Sequence, residues 1–174
     1  MSSINYDLSK IRAFAFDVDG VLSPSTIPMS AEGEPLRMVN IKDGYAIQLA
    51  VKMGYHVAII SGARTQAVVV RFRGLGVEDV FTGVAIKLPC LTNWMDKHGL
   101  NPDEVVFGGD DIPDLEAMAY VGLAAAPADA ATEARQAAAY ISPYNGGYGF
   151  GRDIIEQVMR AQGKWMADKR AFGW

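Results

Sequence analysis

An apolar run that breaks off into acid constrains this chain most: Phe14-Ala15-Phe16 leads into Asp17-Val18-Asp19-Gly20-Val21-Leu22. Short apolar runs closed by a turn signal are buried strands. The carboxyl end of a parallel strand is where α/β folds place their ligands. Two acids one residue apart at such an end cannot both be lost in a core, because an unpaired buried carboxylate is costly. The pair is therefore expected to hold a cation, a proton or each other.

Further along, apolar runs and amphipathic stretches alternate. Strands are expected at residues 12–16, 56–60, 80–81, 105–107, 122–126 and 140–141, and helices at 43–53, 65–75, 88–98, 111–120, 129–139 and 151–162. Strand–helix alternation with short connections gives an α/β, Rossmann-like, mostly parallel sheet with helices on both faces. Residues 23–40 interrupt the rhythm. They carry Pro24, Pro28 and Pro35, and Gly33 sits in a polar turn flanked by Ile27, Met29, Leu36 and Met38. That pattern predicts a β-hairpin projecting from the sheet edge, with apolar side chains that a partner subunit would cover. The whole chain, 1–174, is expected to be one domain without an inserted cap, with a loose tail from about 163 that holds Trp165, Phe172 and Trp174.

Bulk properties narrow the partners. With 174 residues, half of them hydrophobic, the chain can bury a full core. A formal net charge of −4 gives no reason to expect nucleic acid or an anionic membrane as partner. The single Cys90 excludes an intrachain disulfide and reads as a core residue in a reducing compartment. Residues 1–7 lack the apolar core of a secretory signal, and no apolar stretch approaches the roughly 20 residues that span a bilayer. A cytoplasmic location is the expectation.

Four clusters fall at the expected strand ends: Asp17 with Asp19, Ser61-Gly62, Lys87 at the start of a helix, and Asp110, Asp111 and Asp114. Neighbouring ends of one parallel sheet share a crevice, so these residues should converge. Their types suit phosphoryl transfer. An aspartate can attack phosphorus and carry it as an aspartyl-phosphate. Its charge repels a phosphate dianion, so a divalent cation must screen both. Oxygen ligands without a His/Cys cluster favour Mg²⁺ over zinc. Lys87 can neutralise the phosphate, the Ser61 hydroxyl can bind its oxygens, and a second acid can serve the leaving group and then the attacking water.

Asp17-Val18-Asp19-Gly20-Val21, Ile60-Ser61-Gly62, Lys87 and Gly109-Asp110-Asp111-Ile112-Pro113-Asp114 resemble, in order, the four motifs of the haloacid-dehalogenase-like phosphatases. Val39-Asn40-Ile41-Lys42-Asp43-Gly44 and the ending Gly146-Gly147-Tyr148-Gly149-Phe150-Gly151-Arg152-Asp153 are similar to the capless branch that acts on 3-deoxy-D-manno-octulosonate 8-phosphate in lipopolysaccharide precursor synthesis, over about residues 10–163. The resemblance implies roles by position. Asp17 is nucleophile and Mg²⁺ ligand. Asp19 is general acid/base, with its backbone carbonyl on the metal, and Asp110 is the second carboxylate ligand. Asp111 and Asp114 orient metal-bound water or support the loop, while Ser61 and Lys87 hold the phosphoryl group. Asn40, Lys42, Asp43, Gly44, Arg64, Arg71 and Arg152 would bind the sugar acid. The resemblance also implies a homotetramer whose hairpins roof a neighbour's site. Ser23-Pro24 stands where many members carry an acid, Ala63-Arg64 follows the second motif, and Gln48 replaces a family arginine. These departures keep a nine-carbon keto sugar acid 9-phosphate open as the alternative substrate.

Other readings compete. Asp111 and Asp114 could serve only as helix caps, and Arg152 could hold the C-terminal turn. Arg64 and Arg71 are expected about two turns apart on one helix face. His56 and His98 read as structural, with no acid cluster beside them. A phospho-acceptor signalling module also uses acids, a Ser/Thr and a Lys on an α/β sheet. There the acid pair comes first, then a lone Asp, then Ser/Thr and Lys, whereas here the second acid cluster follows the lysine. A non-catalytic assembly protein would not need every chemical residue retained.

Overall fold

The computed structural model describes residues 3–174. Six parallel strands form the sheet: β1 (Ala13–Phe16), β2 (His56–Ile60), β3 (Asp79–Phe81), β4 (Val105–Gly108), β5 (Leu123–Ala126) and β6 (Tyr140–Ile141). Their order is β3-β2-β1-β4-β5-β6, and every neighbouring pair is parallel. The connections are α1 (Ile41–Lys52), α2 (Gln66–Arg73), α3 (Lys87–His98), α4 (Leu115–Tyr120) and α5 (Thr132–Ala137), with α6 (Phe150–Ala161) last. β1 is buried on both faces, so its alternation sorts large from small. Phe14 and Phe16 pack with α1, α2 and α6, while Ala13 and Ala15 face α3, α4 and α5. Among the described residues, no helix is long and apolar enough to cross a membrane.

The topology turns round at β1. The chain runs outward from β1 to β3, then crosses back through α3 to β4 on β1's other side. Strand ends on either side of such a reversal splay apart and leave a crevice. In register, Phe16 lies opposite Ile59 on β2 and Gly108 on β4, so the three following loops emerge side by side.

Two expectations need correction. The hairpin at 23–40 leaves the carboxyl end of the central strand rather than the sheet edge, and it shortens to one antiparallel bridge, Met29 with Pro35. Prolines at 24, 28 and 35 withhold amide donors, so no longer ladder can form. The turn is closed by Ser30 N–H to Glu34 O and Leu36 N–H to Pro28 O, both 2.8 Å. The C-terminal tail is not loose. Trp165 and Ala171 are buried, the Tyr45 hydroxyl donates to the Ala171 carbonyl, and Lys52 Nζ reaches Gly173 O at 2.9 Å, which docks the tail on α1 of its own chain. His98 pairs with a single acid outside the clusters: its Nε2 lies 2.8 Å from Asp79, which also takes Lys97 and the Trp94 indole N–H.

Candidate active site

Asp17 is the first residue past β1, and its N–H is held by Gly108 O at 3.0 Å, in the sheet's own register. Asp110 stands two residues past β4. Carboxylate oxygens of Asp17, Asp110 and Asp114 lie within 4.8 Å of one another. Gly20 makes this approach possible. Its φ is +81°, and a Cβ there would stand 1.9 Å from Asp110 Oδ2.

Lys87, the first residue of α3, enters the cluster from the far side of β2 and is buried. Its Nζ contacts Asp17 Oδ2 at 2.8 Å and Asp114 Oδ1 at 2.5 Å. Asp114 is also buried, and its Oδ2 accepts from the N–H groups of Asp110 (2.9 Å) and Asp111 (3.3 Å). Both Asp114 oxygens are thus engaged, one steadying Lys87 and the other the loop that presents Asp110. Asp111 is exposed, and its carboxylate accepts from Ile112 N–H at the first helical turn.

Three carboxylates against one ammonium leave two negative charges in a confined space. The carboxyl groups resist this. Burial, then the charges of Asp17, Asp114 and Asp111, push Asp110 up to about 8. Burial and Asp114 push Asp17 up to about 6 against the pull of Lys87. Burial opposes the charged form of Lys87 too, yet Asp17 and Asp114 lift its pKa above the usual lysine value. An all-oxygen pocket with a double negative excess fits a hard divalent cation such as Mg²⁺.

Ser61 follows β2 and is buried; its Oγ accepts from Ala63 N–H at 3.1 Å. Asp19 behaves differently from Asp17. Its carboxylate turns to Arg37, whose Nε and Nη2 each donate at 2.8 Å. Sequence reasoning missed Arg37. The signal was there, since it is the one cation between the first motif and α1's first turn, but nothing along the chain showed that the segment folds back onto Asp19.

The expected sugar-binding residues separate into groups. Arg64 is exposed in the loop after β2, because Thr65 takes the N-cap of α2 by accepting from Ala67 N–H. Arg64 and Arg71 therefore do not share a helix face. Arg71 lies across Gly44, where a Cβ would meet its Nη2 at 2.4 Å, and it lines a recess of about 80 Å³ with Arg37, Val18 and Ser23. Lys42 and Arg152 line another, open groove of about 850 Å³ with Tyr144 and Tyr148, and none of the clustered aspartates borders it. Asn40 caps α1 and ties it to Gly147 O at 3.1 Å. Asp43 is buried and accepts from Arg152 N–H at 2.8 Å, at the start of α6. The Arg152 guanidinium pairs with Glu156 and lies over the rings of Trp165 and Tyr45.

A reversed parallel sheet that gathers acids, a buried lysine and a serine at its carboxyl ends is the frame of a haloacid-dehalogenase-like hydrolase. No family model matches the chain. The 3-deoxy-D-manno-octulosonate 8-phosphate phosphatase KdsC of Escherichia coli K12 is 37% identical over 154 residues, which is 88% of this chain and 82% of that protein. The crystal structure of the phosphatase of that name from Yersinia pestis superposes with a TM-score of 0.86 at 34% identity, covering 90% of this chain and 85% of the other. The Moraxella catarrhalis phosphatase, solved with magnesium, phosphate and KDO, gives a TM-score of 0.88 at 30% identity, covering 95% of each chain. The chain belongs to the 3-deoxy-D-manno-octulosonate 8-phosphate phosphatase family.

Proposed function

We propose that this protein is a Mg²⁺-dependent phosphatase that hydrolyses 3-deoxy-D-manno-octulosonate 8-phosphate to the free sugar acid and phosphate. The observation that carries the reading is the cluster of three carboxyl groups, Asp17, Asp110 and Asp114, closed by Lys87. Family membership and the magnesium, phosphate and KDO in the Moraxella relative support it. Asp17 and Asp110 would hold the ion through their carboxylates and Asp19 through its backbone carbonyl; bound there, Mg²⁺ screens the charge between nucleophile and phosphate.

Asp17 attacks phosphorus, and the bond from phosphorus to the sugar oxygen breaks. Asp19 gives that oxygen a proton, so the alcohol leaves neutral. Asp19, now a carboxylate, takes a proton from water as the water attacks the aspartyl-phosphate. The bond from phosphorus to Asp17 then breaks and phosphate departs. Lys87 and Ser61 would bind the phosphoryl oxygens throughout, a reading that the contact of Lys87 with Asp17 supports. Asp114 and Asp111 support the loop that carries Asp110.

For the sugar, Arg64 and Arg71 are the candidates on the α2 side, and Asn40, Lys42, Asp43, Gly44 and Arg152 on the α1–α6 side, either by contact or by support. We place the whole chain in one hydrolase domain acting in the cytoplasm as a homotetramer. The projecting segment supports the assembly, because it leaves Met29, Leu36, Met38 and Val39 exposed. The test is phosphate release from a panel of eight- and nine-carbon phosphorylated keto acids, compared by kcat/KM. A preference for the nine-carbon substrates would move the assignment to their phosphatases, and no release from either would refute it.

A further inference from the structure

The segment after the first motif returns to that motif at two points. Met38 N–H donates to Oγ of the buried Ser23 at 3.2 Å. Ser23 is part of the first loop, since its carbonyl accepts from Gly20 N–H and its own N–H donates to Val18 O, both at 2.8 Å. One residue before Met38, Arg37 crosses to Asp19. Its Nε bonds Oδ1 and its Nη2 bonds Oδ2, and its side chain is only 13% exposed. Nη1 reaches back to Pro35 O at 3.4 Å. Two parallel N–H···O bonds from a planar fork fix the plane of a carboxylate as well as its place. Among the described residues, no other side chain hydrogen-bonds the Asp19 carboxylate, whose side chain is 42% exposed.

The geometry points to Arg37 as a positioning residue for Asp19: anchored by Met38 on Ser23, its guanidinium sets the carboxylate in the orientation from which it exchanges a proton with the leaving oxygen. This rests on the assignment of Asp19 as general acid. Without the fork Asp19 rotates freely, and a displacement on the order of 1 Å at a reacting group can cost about a hundredfold in rate. Arg37 differs in kind from Arg64 and Arg71, because in this arrangement Nε and Nη2 are both taken by Asp19.

The experiment uses full-length, Mg²⁺-loaded protein and two substrates without a sugar or carboxylate, phenyl phosphate and p-nitrophenyl phosphate. The ratio of their kcat/KM values reports how much the leaving oxygen depends on a proton, since p-nitrophenol is the better leaving group. Asp19→Asn sets the scale and should depress phenyl phosphate about tenfold more than p-nitrophenyl phosphate. Arg37→Gln, or Arg37→Met should the first misfold, should shift the ratio in the same direction, with a thermal midpoint close to that of the wild type. Equal losses on both substrates in the Arg37 variants, with discrimination in Asp19→Asn, would overturn the positioning role and leave the general acid standing. No discrimination in Asp19→Asn itself would overturn the acid assignment and the inference with it. A purely structural Arg37, or one that touches sugar directly, leaves the ratio of the two aryl substrates unchanged.

Discussion

Replacing Asp43 by Asn should remove a loss of stability that the wild type suffers as pH rises through about 6. Asp43 is 2% exposed. Its Oδ1 accepts from Arg152 N–H at 2.8 Å, while Oδ2 is buried with no hydrogen-bond partner. Burial lifts its carboxyl from 3.8 to about 6, against the pull of the Arg152 and Gly149 amides. A folded-state pKa above the unfolded value means the native protein binds the extra proton. The corresponding stability is present in full below 3.8 and lost as pH rises through about 6. Over the whole window the difference amounts to about 3 kcal/mol, of which about 2 kcal/mol falls between pH ~4.5 and pH ~8. Asparagine keeps the Oδ1 bond and cannot ionise. Urea unfolding of both proteins, metal-free, at those two pH values measures the effect as a double difference, in which pH-independent costs of the swap cancel. The Asn variant should gain about 2 kcal/mol on the wild type from acid to alkaline pH. A gain below about 0.5 kcal/mol would refute the claim that Asp43 is an ionised group held in the core at a cost.

Three further outcomes are expected. Asp17→Asn should release no phosphate and form no acid-stable phosphoenzyme, while its thermal midpoint stays near that of the wild type; turnover would remove Asp17 as nucleophile. EDTA should abolish activity, and Mg²⁺ at a hundred times its Kd should stabilise the fold by about 2.7 kcal/mol in calorimetry, a gain that Asp110→Asn should lose. Gly44→Ala should leave the helix as stable or up to about 1 kcal/mol more stable, yet lower kcat/KM on the sugar phosphate, because the added carbon would sit 2.4 Å from Arg71 Nη2 and displace it; unchanged efficiency would show that the placement of Arg71 is irrelevant.

What could be read along the chain follows from what is local. β2 and β6 match their expected bounds because each is an apolar run closed by a turn residue, Gly62 after Ser61 and Pro143 after Ser142. Convergence of Asp17 with Asp110 followed from topology, since both end strands that must be neighbours around the crossover. The missed features are contacts between distant segments. Nothing near Ala171 announces that Tyr45 will hold its carbonyl, and Arg37 carries no local mark of its bond to Asp19. Arg64 was misassigned for a subtler reason. Thr65 is both a plausible helical residue and a better N-cap, and the cap bond to Ala67 N–H decided it.

In the first loop, several residue types are tied to contacts that the loop makes. Gly20 must lack a side chain so that Asp110 can close on Asp17, and must turn with φ +81° so that its N–H can reach the Ser23 carbonyl. Ser23 is buried, and its hydroxyl receives Met38 N–H. The same few residues thus bring the two acids together and bind the projecting segment. Among the described residues no cap is inserted, and that segment is anchored to the first loop through Arg37 on Asp19 and Met38 on Ser23. Any displacement of it must break one of those contacts or move Asp19 with it. If Asp19 is the general acid, whatever moves this segment also moves that acid, so a partner covering the segment would reach the chemistry without a second domain.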